Sequence, residues 1–166
     1  MLVETERFGA LEIDPGALIE MPDGLYGFEH ARRFCLLDRS PAAAFRWLQC
    51  VDAPGLAFVV INPYDFFADY EVELDDQEAA AIELRAPEDA LILSLVTMGE
   101  RAAEATANLV GPIVINAKSR KAKQVVLANQ AYTTKHRLLP EPAPEPAAGP
   151  CGEEPCSSLR AAVERA

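Results

Sequence analysis

Two histidines, four cysteines and one dense run of carboxylates are the features of this 166-residue sequence whose side chains are suited to chemistry. His30 stands in GFEHARR and His136 in TTKHRL, and neither has a Ser, Cys or Asp at the spacing of a nucleophile–base motif. Both read as surface or turn residues. The carboxylates crowd into DYEVELDDQE, Asp69 to Glu78. Alternation along a strand puts Asp69, Glu71 and Glu73 on one solvated face, where no burial raises a carboxyl pKa and acid–base work has no poised partner. The sequence contains no P-loop and no G-x-G-x-x-G.

Cys35 and Cys50 sit in apolar, strand-like runs and read as free core thiols. Cys151 and Cys156 lie in a polar tail at a spacing that does not match a zinc knuckle, with no second pair. They are incidental thiols, a small disulfide loop or a redox-sensitive clip. The basic run KSRKAKQ, Lys118 to Gln124, carries four bases and no interleaved aromatic. It reads as a hairpin facing water or an acidic partner rather than nucleic acid. The sequence thus predicts no catalytic set, no cofactor and no metal.

Charge is unevenly distributed. Residues 1–100 hold 20 acids and 6 bases, a balance of −14, whereas residues 101–140 hold 1 acid and 7 bases, a balance of +6. Such polarity can steer a protein partner and repel nucleic acid from the acidic side. No apolar run approaches the roughly 20 residues that span a bilayer. The start, MLVETERFGALEI, lacks the apolar core of a secretory signal. The expectation is a cytoplasmic protein with no membrane contact.

The elements that must position these residues are mostly strands. MLVETERFG, ALEID and ALIEM are short and alternating, with Asp14-Pro15-Gly16 as a turn between the last two. Pro22-Asp23-Gly24 and Gly27 punctuate a turn-rich stretch, and FCLLD, FRWLQCV and LAFVVI follow. ALILSLVTM, PIVINAK and KQVVLAN complete the series. About ten short strands separated by turns predict a mainly β, small antiparallel barrel-like domain. One segment breaks the rhythm: Asp75 and Glu78 resemble a capping box, and Ala79, Ile82 and Ala86 can share a face. One short helix of about ten residues is expected near 75–86, ended by Pro87. PEPAPEPAAGP, Pro140 to Pro150, has no apolar periodicity and predicts a disordered, extended spacer. A terminal helical turn from Ser157 or Ser158 is too short to be stable alone. The domain therefore covers 1–139 and the Pro-rich tail 140–166.

The stretch AFVVINPYDFFADYEVEL, Ala57 to Leu74, joins a strand to the acidic run through an aromatic corner. Phe58, Val60 and Phe66 read as core. Pro63 cannot donate to a ladder, so the strand ends or reaches an edge there. Tyr64, Phe67 and Tyr70 either plug the open end of a barrel or stand as half-exposed anchors for a partner.

AFVVINPYDFFADYEVEL, TANLVGPIVIN and QVVLANQAYTTKHRL, in this order and spacing, resemble the flagellar assembly factor FliW family. IEMPDGLYGFEHARRFCLLD is similar to that family's glycine–phenylalanine turn. The resemblance covers residues 1 to about 139. It implies a non-enzymatic regulator with two protein partners: flagellin, bound through its C-terminal helical region, and the RNA-binding translational regulator CsrA. Free regulator sequesters CsrA and releases flagellin mRNA; flagellin-bound regulator leaves CsrA to silence it. Candidate partner-binding residues are Tyr64, Phe67, Asp69, Tyr70, Glu71, Glu73 and Asn108, from the aromatic corner and its acids and from an apolar edge at Asn108–Ile113. The runner-up is a flagellin-only export chaperone without CsrA control. The sequence departs from the family pattern at Gly111, where alanine is expected and glycine would loosen a strand entry, and in its longer tail.

Overall fold

Short alternating runs bounded by turn residues pair as antiparallel strands. The computed structural model, which describes residues 1–39 and 43–139, contains eleven of them. In chain order they are β1 (Leu2–Thr5), β2 (Gly9–Glu12), β3 (Ile19–Glu20), β4 (Arg33–Leu37), β5 (Phe45–Cys50), β6 (Ala57–Ile61), β7 (Ala90–Thr97), β8 (Thr106–Ala107), β9 (Ile113–Asn116), β10 (Ala122–Gln124) and β11 (His136–Arg137). One α-helix, α1 (Asp76–Ala81), lies between β6 and β7. The Pro-rich segment and Cys151/Cys156 lie outside the described residues.

β1 and β2 form their own hairpin sheet. The other nine strands form one sheet with the order β10-β9-β7-β6-β5-β4-β3. β7 organises it: Ala90–Leu93 pair with β9, Val96 and Thr97 pair with β8, and the opposite edge takes β6. β11 extends the sheet beyond β8. The sheet curls until its ends touch, with Glu20 of β3 beside Lys121 in a single parallel bridge. The Glu20 N–H donates to the Arg120 carbonyl at 2.9 Å. One bridge is not a ladder, so the architecture is barrel-like rather than a closed barrel.

Period-two alternation sorts side chains to the two faces. Phe34, Leu48, Val60, Leu93, Ile113 and Ile115 fill the inside of the curl. Ile61, Ile92, Val114, Tyr70, Leu109 and Leu138 build a second core on the outside of β6, β7 and β9. All four residues of β9 are therefore buried, which explains its uninterrupted apolar run. The β1–β2 hairpin covers the outer face of β4 through Val3, Ile13 and Cys35.

Three local expectations are corrected. The helix is six residues long and ends at Ala81, well before Pro87. Its start is as read: the Asp75 carboxylate accepts from Glu78 N at 2.7 Å and Glu78 accepts from Asp75 N at 3.2 Å. Its end is a Schellman turn. Leu84 N donates to Ala79 O, Glu83 N donates to Ala80 O, and Glu83 takes a left-handed φ of 58°. Asn116, 3% exposed, fixes this turn by donating its amide to the carbonyls of Ile82 and Glu83 at 3.0 and 2.9 Å. Second, DYEVEL forms no strand: Asp69 closes a turn, and Tyr70 to Leu74 belong to no ladder. Third, KQVVLAN pairs only as far as Gln124. Beyond it Val125 and Leu127 still donate in the same register to the carbonyls of Pro112 and Val110, but Pro112 has no N–H to return the bond. β8 and β11, two residues each, are too short for a sequence pattern to reveal.

Candidate functional site

β6 ends at Ile61, and Pro63, two residues on, is buried at the start of a 3-10 turn over Pro63–Asp65. Asn62 caps this turn, its Oδ1 accepting from Tyr64 N at 3.1 Å. Phe66 N and Phe67 N donate to the Pro63 carbonyl, and Tyr70 N donates to Phe67 O. The corner is thus held by its own backbone and can carry an aromatic cluster. Phe66 tilts against Phe45 and Phe67 with centroids 6.1 and 6.4 Å apart, and Phe67 meets the His136 ring edge-on at 5.0 Å. Tyr70 lies 4.8 Å from Tyr132 and 5.9 Å from Tyr64.

The three aromatics with two open readings separate clearly. Tyr70 is 3% exposed and donates its hydroxyl to the Leu109 carbonyl at 2.8 Å, so it is a plug and presents no contact face. Burial pushes its phenol pKa well up, with Tyr132 and Tyr64 adding and the Ser94 hydroxyl opposing. Tyr64 is 45% exposed. Its pKa is also raised, by partial burial first and then by Tyr132 and the Glu71 carboxylate. Phe67 is half-buried.

After Tyr70 the chain runs extended, and alternation divides its side chains. Asp69, Glu71 and Glu73 are exposed, while Val72 and Leu74 are half-buried. Val72 and Leu74 line an open groove of about 410 Å³ together with Tyr64, Leu84, Pro87 and Ile92. Glu71 and Glu73 face the other way, into a polar cleft with Asp75, Glu78, Val126 and Asn129. Tyr132 ties the segment down by accepting from Glu71 N at 2.8 Å. The far wall of the groove, Leu84 to Ile92, was not singled out from sequence. Its only signal there is the apolar residues that follow the helix.

The apolar edge at Asn108–Ile113 is not a surface. Leu109 and Ile113 are 1% and 0% exposed, because this stretch roofs the second core and enters β9. Asn108 is half-buried, and its Oδ1 accepts from Gly111 N at 2.9 Å. Gly111 does not loosen the strand entry: its carbonyl also accepts from the Gln124 amide at 2.9 Å. A Cβ there would stand 3.1 Å from both the Asn108 and Gln124 amide nitrogens.

The other chemistry-bearing residues stay apart. His30 is exposed at a shallow cleft beside Arg32, Arg33 and Asp52. Cys35 and Cys50 are buried on neighbouring strands and belong to different apolar clusters. Burial pushes the Cys35 thiol up to about 11, with Cys50 adding, and also raises Cys50. Three lysines of the basic hairpin pair with this chain's own acids: Lys118 with Asp89 and Lys121 with Glu83 at 2.7 Å, Lys123 with Asp23 at 3.6 Å. Among the described residues no cluster of three or more His, Cys, Asp or Glu is arranged to hold a metal. No helix among them is long and apolar enough to cross a membrane.

Fold and groove together define a small, curled β-domain that carries a mostly apolar groove, with Arg85 as its one charged lining residue, and a separate acidic cleft on the other side of the Val72–Leu74 segment. The sequence model of the FliW protein family matches residues 2–138. The flagellar assembly factor FliW of Treponema denticola is 43% identical over 141 residues, which is 85% of this chain and 95% of that protein. The FliW of Heliobacterium modesticaldum is 39% identical over 92% of this chain and 99% of its own length. A crystal structure of the flagellar assembly factor FliW superposes with a TM-score of 0.79 at 36% identity, covering 85% of this chain and 99% of that one. The chain belongs to the FliW family.

Proposed function

We propose that this FliW-family chain acts in flagellar assembly as a non-catalytic cytoplasmic regulator. It holds the C-terminal region of flagellin before export and, when flagellin is scarce, binds CsrA and relieves translational repression. The observation that carries the reading is the apolar groove of Tyr64, Val72, Leu74, Leu84, Pro87 and Ile92. An amphipathic helix docks by laying apolar residues at i, i+3, i+4 and i+7 into such a groove. Tyr64, half-exposed on a hydrogen-bonded corner, is a rigid anchor at its mouth.

The acids supply the second half of the reading. An acidic body held beside an RNA-binding protein lowers its RNA affinity by repulsion without covering the RNA groove. Asp69, Glu71 and Glu73 are exposed, and the +6 balance of residues 101–140 is partly neutralised by local ion pairs.

The test is calorimetric titration of the purified chain into CsrA from the same organism, repeated with flagellin pre-bound. Binding of CsrA that flagellin abolishes is the expected result. Flagellin binding without any CsrA binding reduces the function to an export chaperone. A chain that binds neither overturns the proposal.

A further inference from the structure

We propose that Arg85 selects what the groove accepts: an amphipathic helix that carries a Glu or Asp on the flank of its apolar stripe, where Arg85 pairs with that carboxylate. This selection rests on the reading of the groove given above and adds the chemistry of its partner.

Arg85 is the one charged residue among those that line the groove. It is exposed and forms no ion pair with any described residue. Acids stand close to it in the chain, but they are engaged elsewhere or do not reach it. Glu83 and Asp89 share a neighbouring cleft with Arg85, and Lys121 and Lys118 hold them at 2.7 Å each. Glu88, three positions on, makes no ion pair with it. The lysines of the β9–β10 hairpin thus take both acids of that cleft. The cation left over is the one that also opens onto the apolar groove.

The backbone under Arg85 is fixed from both sides. Before it, the Schellman turn ties Glu83 and Leu84 to the carbonyls of Ala80 and Ala79, and the Asn116 amide holds the carbonyls of Ile82 and Glu83. After it, Asp89 N donates to Ala86 O at 3.1 Å and opens the 3-10 turn Pro87–Asp89. Its chain neighbours Leu84 and Ala86 belong to the groove wall. A cation rooted on fixed backbone gives up less freedom on pairing than one on a mobile loop.

A helix laid into the groove strips water from the Arg85 guanidinium. A carboxylate at that point replaces the water through a planar fork of N–H donors, the geometry in which guanidinium binds carboxylate bidentately. An apolar residue there leaves a desolvated cation without a partner, and a lysine repels it. Discrimination therefore comes as much from the penalty on the wrong helix as from attraction to the right one. The rest of the surface limits how acidic the partner can be. The −14 balance of residues 1–100 repels a generally acidic segment, so the groove favours an apolar stripe with an isolated acid over a polyacidic run.

The test is calorimetric titration of flagellin from the same organism into the native chain and into Arg85→Glu, Arg85→Gln and Arg85→Lys. Arg85→Glu should lower the affinity at least about tenfold at about 0.05 M salt, and the loss should shrink as salt rises. Arg85→Lys should retain more affinity than Arg85→Gln. The unfolding midpoint in urea should not move, because Arg85 is exposed and unpaired in the free protein. Single replacements of the acids in the flagellin C-terminal region by lysine should include one that binds Arg85→Glu more tightly than it binds the native chain. Affinity unchanged in Arg85→Glu, with Val72→Ala/Leu74→Ala still weakening it, overturns the role of Arg85 and leaves the groove as the docking site. A loss that no lysine replacement reverses overturns the pairing and assigns the effect to the general field of the surface. A native chain that binds no flagellin overturns the reading of the groove and this selection together.

Discussion

The hydroxyl of Tyr70 donates to the main-chain carbonyl of Leu109 at 2.8 Å, joining the aromatic corner to the stretch that enters β9. Both residues are buried, so this bond closes the second core and presents nothing to a partner. Tyr70→Phe leaves a buried carbonyl without its donor and should lower stability by about 1–3 kcal/mol. Urea unfolding will show this as a lower midpoint, while flagellin affinity by calorimetry should change by less than about twofold. Tyr64→Ala should do the reverse, with stability nearly unchanged and affinity reduced several-fold, as expected for an exposed anchor. A Tyr70→Phe variant that loses affinity while keeping its unfolding midpoint would make Tyr70 a contact residue.

That contrast shows what the sequence could and could not tell. Alternation and turn residues marked most of the strands and the helix start, because backbone period and capping are local. They did not separate Tyr64 from Tyr70. Both are tyrosines of one corner, and the distinction depends on Leu109 and Tyr132, 39 and 62 positions downstream of Tyr70. The helix end was missed for the same reason. Asn116, 34 residues beyond Ile82, takes the carbonyls that a longer helix would have used. Of the groove lining only Tyr64 was marked in the sequence, as a candidate anchor; Val72 and Leu74 were not singled out, and the other wall is set by how the chain returns after α1.

Gly24 and Gly27 occupy the same turn-rich loop, both with positive φ, yet they should respond differently to alanine. At Gly27, φ is 86° and an added Cβ meets nothing within 4 Å. Gly27→Ala should cost only the left-handed backbone penalty, about 1–2 kcal/mol. At Gly24, φ is 69° and the Cβ would sit 2.7 Å from Glu29 Cα and the Phe28 carbonyl oxygen. These are backbone atoms next to Leu25 and Ala31, which are core residues. Gly24→Ala should therefore destabilise by at least about 2 kcal/mol more than Gly27→Ala, since overpacking adds to the strain. Urea unfolding of the two variants side by side decides it; equal losses would mean the loop shifts freely.

Asp52 gives the fold an acid-sensitive clamp. Its carboxylate accepts from Arg32 N at 3.2 Å, Arg33 N at 2.8 Å and the Arg33 guanidinium at 2.7 Å, tying the start of β4 to the turn between β5 and β6. Burial pushes its pKa up, but the Arg33 side chain and the two N–H groups outweigh burial and hold it below the usual carboxylate range. A lowered folded-state pKa means stability that is present above the unfolded value of about 3.9 and lost as pH falls through the folded value. Asp52→Asn should cost about 1 kcal/mol at pH 7, a figure reduced for solvent screening of the exposed Arg33. The gap should narrow as pH falls through the lowered folded-state pKa and the aspartate takes up its proton. A penalty that does not narrow with falling pH would assign the effect to geometry rather than charge.

The extended segment after Tyr70 separates two kinds of binding energy by parity alone. Val72 and Leu74 face the groove, and Glu71 and Glu73 face the opposite cleft. If the groove holds a partner helix, Val72→Ala/Leu74→Ala removes apolar contact area, at up to about 25 cal/mol for each Å² of buried surface lost. The affinity for the flagellin C-terminal region should fall at least tenfold, nearly equally at low and high salt. The charge reversal Glu71→Lys/Glu73→Lys should leave that affinity within about threefold. Under the proposed function its effect falls on CsrA instead. With three exposed acids contributing to repulsion, reversing Asp69 together with Glu71 and Glu73 should leave CsrA bound while restoring much of its RNA binding. The restoration should shrink as ionic strength rises and the Debye length falls from about 10 Å at 0.1 M salt. RNA displacement that survives the triple reversal undiminished, with CsrA still bound, would place the antagonism in occlusion or conformational change and remove charge from the mechanism.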